Sequence, residues 1–192
     1  MLEFPTVKVH KDELERCQDI FNELISEIED PTGYNYELML IDDDIVNAFT
    51  AGGKVFVTKG MMEFVENDDE LAVVLGHEIY HNELGHIREK LQKHAVANDL
   101  FGDFDFIPIL ADQILLTSFN QKNEVECDLH GLDLAVAAGY DGCVLSPFWE
   151  RMGEGEDESD LFSVMRSHPY SRTRSTCVQN HIHSNYDEPC SD

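Results

Sequence analysis

"ELAVVLGHEIYHNELGH", Glu70–His86, is the stretch on which the reading of this chain turns. Leu71 to Leu75 and Ile79 give it the apolar content of a buried helix, yet three histidines and three glutamates interrupt it. Asn67, with Glu70 three residues later, resembles a capping arrangement at the helix start, and the pattern predicts a helix running to about Ala95.

Within that helix His77, Glu78 and His81 form the pattern H-E-x-x-H. Helical residues four apart lie about 6 Å apart along the axis and close in azimuth, so both imidazoles can reach one metal ion. Zinc suits such a pair, because it accepts imidazole nitrogen and carboxylate oxygen tetrahedrally, and catalytic sites leave one position to water. Glu78 sits beside His77 but off the ligand line, where it can take a proton from that water. A shuffled chain of this composition yields the pattern in roughly 4% of cases, so the flanks must decide. The apolar setting is one such flank: each unsatisfied buried group costs roughly 1–3 kcal/mol, a cost a metal would remove.

A second flank lies in the predicted helix from about Lys122 to Ala138, ended by "AGYDG". Glu124 and Asp128 share one face of it while Glu126 points elsewhere. Glu124 could complete a two-histidine, one-glutamate ligand set, and Asp128 could hold a ligand histidine from behind. The alternative is that all three acids form an ordinary exposed helix face. His86 does not extend the motif: a third metzincin histidine comes ten positions after the first, whereas His86 comes nine after His77. "NELGH" offers Asn82 where a first histidine is required. His77 and His81 are therefore the consistent pair, and His10, His86, His94, His181 and His183 read as surface or packing residues.

The chain's 192 residues, 42% of them hydrophobic, fit a single domain over 1–192. A net charge of −26 repels phosphate backbones and anionic lipids, which argues against nucleic acid as a partner; it fits solubility, or a preference for basic substrates. Five cysteines form no C-x-x-C pair, which fits a reducing compartment. The N-terminus has no signal-peptide pattern, and no run approaches the roughly 18 apolar residues of a membrane span, so a soluble, cytoplasmic protein is expected.

Elsewhere, Lys11–Glu29 has the apolar spacing of an amphipathic helix. "YELMLI" and "KVFVTKG", separated by "DDDIVNAFTAGG", read as strands and turns of a small mixed or antiparallel sheet, with Asp42, Asp43 and Asp44 in a solvated turn. "GGKVFVTKG" is either an edge strand against which an extended substrate could pair or, equally, a plain core strand. A short helix is predicted from Gly60 to Glu66, a buried one near Ile109–Phe119, a surface loop at Gly153–Asp160, and short helix or coil in "SRTRSTCVQNHIH". The fold class is α+β, mainly helical.

At this point the chain resembles the gluzincin metallopeptidases that include HtpX, the CAAX prenyl endopeptidases and the soluble BepA-like proteases, over about Ile45 to Arg174. Four segments carry the resemblance in order: "NAFTAGGKVFVTKGMMEF", "DELAVVLGHEIYHNELGH", "NEVECDLHGLDLAVAAGYD" and "SHPYSRTR". The resemblance implies a zincin-like catalytic domain with one Zn2+ per chain, held by His77, His81 and Glu124, with Glu78 as general base and Asp128 behind a ligand. It places His168 and Arg174 near the cleft as catalytic candidates, His168 approaching the open metal position or the developing oxyanion. The chain departs from the pattern in lacking the membrane helices of several relatives, in Cys127 where Ala is common, and in Gly142 where Pro is usual. The implied activity is zinc-dependent endopeptidase action on unfolded or damaged polypeptides, in protein quality control. Two rivals predict differently: a catalytically silent zinc scaffold or chaperone-like module would close the metal with a fourth protein ligand, and an acidic interaction protein would bind no metal.

Overall fold

A computed structural model describes residues 11–29, 31–90, 92, 118–155, 168–169, 172–186 and 190. The predicted buried helix near Ile109–Phe119 lies outside them except for its last two positions, which are not helical, as do His10, His94 and residues 156–160 of the expected surface loop.

The centre of the fold is helix α3, Asp68–Glu83. Leu71, Ala72, Val73, Val74, Leu75 and Ile79 are all buried and point to every side, which is how a helix behaves when neighbours surround it. Asn67 caps it as predicted, its side chain accepting from the Glu70 N–H. Around it pack α1 (Lys11–Ser26), whose Cys17, Ile20, Phe21 and Leu24 form the buried stripe expected from their spacing, and α4 (Gln121–Ala137). Helix α2 (Lys59–Phe64), a 3₁₀ turn at Gly142–Val144, α5 (Leu145–Gly155) and α6 (Arg172–Asn185) complete the helical layer. The first residues of the expected Gly153–Asp160 loop thus belong to the end of α5. From Arg172 on, "SRTRSTCVQNHIH" lies within α6, a full helix where short helix or coil was expected.

The sheet has three strands, β1 (Glu37–Ile41), β2 (Ala48–Ala51) and β3 (Lys54–Thr58), in the order β1-β3-β2. β1 runs parallel to β3 and β2 antiparallel to it, so the sheet is mixed and the α+β class holds. Of the two readings of "GGKVFVTKG", the core strand holds: "KVFVT" lies in the middle of the sheet, and β2 is the edge that faces α3. Three buried residues in a row, Val55, Phe56 and Val57, mark β3 as a strand covered on both faces, not the alternating pattern of an exposed one.

Helix α3 also ends earlier than predicted. It stops at Glu83, Gly85 adopts φ +74°, and a new helical stretch starts at His86. Only glycine takes that left-handed conformation at little cost, so a glycine amid good helix formers was the available signal. The turn folds His86 back toward His81.

Helices α3 and α4 touch backbone to backbone at Gly76 and Gly131. A methyl added at Gly131 would lie 2.6 Å from His77 N and 2.7 Å from Gly76 C. Neither atom can yield without parting the helices, so Gly131→Ala is expected to cost about 3 kcal/mol, the upper end for overpacking. Urea unfolding of the variant would measure it; a change within 0.5 kcal/mol, the ordinary range for neutral surface changes of about that size, would contradict this account.

Candidate active site

Four buried side chains converge where α3 crosses α4: His77, His81, Glu124 and His168 each offer one donor atom, and these lie within 4.8 Å of one another. His77 Nε2 and His81 Nε2 are 3.0 Å apart. Glu124 Oε2 is 3.5 Å from His77 Nε2, and its Oε1 is 3.4 Å from His81 Nε2. His168 Nδ1 lies 3.2 Å from His77 Nε2 and 3.1 Å from Glu124 Oε1. Zinc bonds of about 2.0–2.2 Å to nitrogen and oxygen give tetrahedral edges of about 3.3–3.5 Å, so the donor set has the size and chemistry of a zinc shell.

The helices explain the convergence. His77 and His81 project from one face of α3, and Glu124 from the first turn of α4, whose start Asn120 fixes by accepting from the Asn123 N–H. Asp128, one turn further, accepts from His77 Nδ1 at 3.0 Å. That bond holds the proton on Nδ1 and leaves Nε2 free to ligate. Of the three acids on α4, Glu124 and Asp128 are buried while Glu126 is 39% exposed, the division expected from their helical faces.

Arg174 organises the carboxylates from α6. Its Nε donates to Asp128 Oδ2 at 2.7 Å and its Nη2 to Asp128 Oδ1 at 2.7 Å, while Nη1 pairs with Glu124 Oε2 at 2.8 Å. Nη1 also donates to the backbone oxygens of His168 and Pro169, so one guanidinium ties the two acids to the segment that delivers the fourth donor. The guanidinium carbon lies 4.3 Å from the Trp149 ring centroid. Arg174 thus sits beside the cluster, where the resemblance put it, with its contacts on the two carboxylates and the His168 backbone.

Charges follow from these contacts. Burial opposes ionisation of Glu124, but His168, His77 and His81 hold its carboxyl well below the usual range. Asp128 is likewise lowered against burial, by Arg174 first and His77 second. Burial keeps His81 neutral, outweighing Glu124. For His77 burial is outweighed by Asp128 and Glu124, which push it up to about 9 without a metal. The ordinary value is about 6.5, so His77 stabilises the metal-free fold fully below that pH, and this contribution fades as pH rises through 9. A metal must displace that proton. Zinc affinity of the metal-free protein is therefore expected to rise by about tenfold per pH unit up to pH 9, measured by chelator competition; a flat profile between pH 6 and about 8 would contradict it.

Glu78 Oε2 is buried with no hydrogen-bond partner among the described residues, while Oε1 lies 3.4 Å from His168 Nε2. Residues that sequence reading missed frame the cluster. Phe119 stacks on His81 with centroids 3.8 Å apart, and Lys90 Nζ sits 3.1 Å from the Phe119 centroid, its pKa lowered to about 8 by burial against the pull of Glu124 and Glu78. His86, read as a surface or packing residue, is buried with its Nδ1 3.2 Å from His81 Nδ1. Its only sequence signal was the glycine before it.

Asn82, next to His81, ties this end of α3 to the sheet. Its side chain accepts from the Gly53 N–H and donates to the Thr50 hydroxyl on β2. The β2 edge is thereby fixed relative to the histidines.

The cysteines differ from expectation. Cys143 and Cys190 form a disulfide, while Cys17, Cys127 and Cys177 are free. No helix among the described residues is long and apolar enough to cross a membrane.

Comparison with known proteins places these features in context. The sequence pattern of peptidase family M48 matches residues 11–181. The mitochondrial metalloendopeptidase OMA1 of Arabidopsis thaliana is 32% identical over 150 residues, covering 74% of this chain and 31% of the relative. OMA1 of Schizosaccharomyces pombe is 34% identical over 151 residues, covering 72% and 44%. The metalloprotease LoiP of Escherichia coli is 27% identical over 161 residues, covering 77% and 62%. The chain thus spans less than two thirds of the length of these relatives.

Proposed function

The chain belongs to peptidase family M48, and from that premise we propose that it is a zinc-dependent endopeptidase acting on unfolded or damaged polypeptides. The observation that carries this reading is the placing of Glu78 Oε2, buried and unpartnered, beside a donor set of zinc dimensions. His77, His81 and Glu124 would hold the ion, which would supply Lewis acidity toward the scissile carbonyl and make water a stronger acid.

The chain's own groups do the rest. Glu78 takes the proton of the attacking water on Oε2 and later gives it to the leaving amine, so no covalent intermediate forms. Asp128 keeps His77 in the tautomer that presents Nε2. An extended substrate pairs its backbone with the open edge of β2, which suits unfolded chains because backbone pairing asks little of sequence.

His168 supports a second reading. Its Nδ1 completes a set of four protein donors, which is what a closed, structural zinc would require. In an endopeptidase His168 would instead hold the fourth position at rest and leave it for substrate. The two readings part on His168→Ala. An enzyme is expected to gain activity severalfold on casein, in a chelator-sensitive way, and to keep its zinc. A structural site would gain no hydrolysis and would bind zinc more weakly.

A further inference from the structure

The face of His81 turned away from Glu124 carries a second group of donors. His81 Nδ1, His86 Nδ1 and Cys127 Sγ lie within 4.8 Å of one another, and all three residues are buried. His86 Nδ1 is 3.2 Å from His81 Nδ1 and 3.3 Å from Cys127 Sγ.

Three features separate this group from ordinary packing. A neutral imidazole nitrogen offers one lone pair or one proton, so His86 Nδ1 satisfies only one of the two groups converging on it. A cation would use all three lone pairs. Zinc–nitrogen bonds of about 2.0–2.1 Å and zinc–sulfur bonds of about 2.3 Å make tetrahedral edges of about 3.4 and 3.6 Å, close to the separations seen. Finally, the Glu126 carboxylate faces His86 Nε2 at 3.6 Å, the ring nitrogen that would keep its proton if Nδ1 held a cation.

We propose that His81 Nδ1, His86 Nδ1 and Cys127 Sγ form a second site for a divalent transition metal that favours nitrogen and sulfur, zinc above all, sharing the His81 ring with the first. It rests on the endopeptidase reading only through that shared ring. Two protons leave on binding, one from the Cys127 thiol and one from His81 Nδ1, whose ring then bridges the two ions as an imidazolate. The exchange of one dication for two protons adds no net charge to the buried site, and the remaining position goes to solvent.

Metal counting tests this directly. Full chain purified without an affinity tag, zinc-loaded and desalted, is expected to hold two zinc ions, and Cys127→Ala one. Cobalt-substituted wild type is expected to show a near-ultraviolet thiolate-to-cobalt charge-transfer band that survives Cys177→Ser and disappears in Cys127→Ala. One zinc in both proteins with no such band would overturn the second site, leaving His86 as a hydrogen-bond acceptor for His81 and the first site intact. A single zinc lost with Cys127→Ala but kept with Glu124→Ala would uphold this site and sink the endopeptidase reading instead.

Discussion

Glu78→Gln is expected to lower peptide hydrolysis by about 10³-fold while the zinc content stays unchanged. Gln matches Glu in shape, so the packing around position 78 is kept, and the Glu78 carboxylate is not among the four donors that converge on the metal position. What disappears is the capacity to accept a proton. The loss should fall on kcat with little change in KM, because Glu78 makes its interaction with the reacting water and not with the bound chain. The measurement is best made on casein in wild-type and His168→Ala backgrounds, so that an occupied fourth position does not mask the effect. Cleavage by the variant at the rate of its parent would remove Glu78 from the mechanism.

Arg174→Met carries the largest expected effect on stability. The change leaves Asp128 and part of Glu124 as buried carboxylates without their cation, and breaking a buried pair by removing one partner costs roughly 3–5 kcal/mol. For a chain of this size that corresponds to a fall in Tm of roughly 10 °C. Arg174→Lys restores the charge but not the fork that grips both Asp128 oxygens, so its Tm should lie between the two. Because Arg174 also holds the backbone of His168, both variants should loosen that segment. A Met variant as stable as wild type by calorimetry would show that the pairing contributes nothing.

Helical periodicity put His77 with His81, and Glu124 with Asp128, on single faces of their helices, while the joining of the two pairs rested on the resemblance. Burial of Glu124 and Asp128 with exposure of Glu126 followed from the same rule. What stayed hidden depends on long-range geometry. The resemblance placed Arg174 near the cleft, but its grip on Asp128, 46 residues away in sequence, is a pairing that no local pattern announces. The Cys143–Cys190 bond was hidden for the same reason. Edge and core readings of β3 stayed level because short strands in a small sheet carry too few residues to reveal whether one face or both are covered. His86 proved to be the packing residue that was one of its two readings, and its place against His81 was not legible because a single glycine at position 85 redirects the chain.

The close meeting of Gly76 and Gly131 sets the aperture between the two ligand-bearing helices by backbone contact, before any ion arrives. A cation therefore meets a frame of fixed calibre. Calcium, which wants six to eight oxygens at about 2.3–2.6 Å, would have to prise the helices apart, whereas the spacing of the donors already suits an ion of zinc's size. A preference for a small cation would thus be partly enforced by missing side chains, remote from the donors' own chemistry.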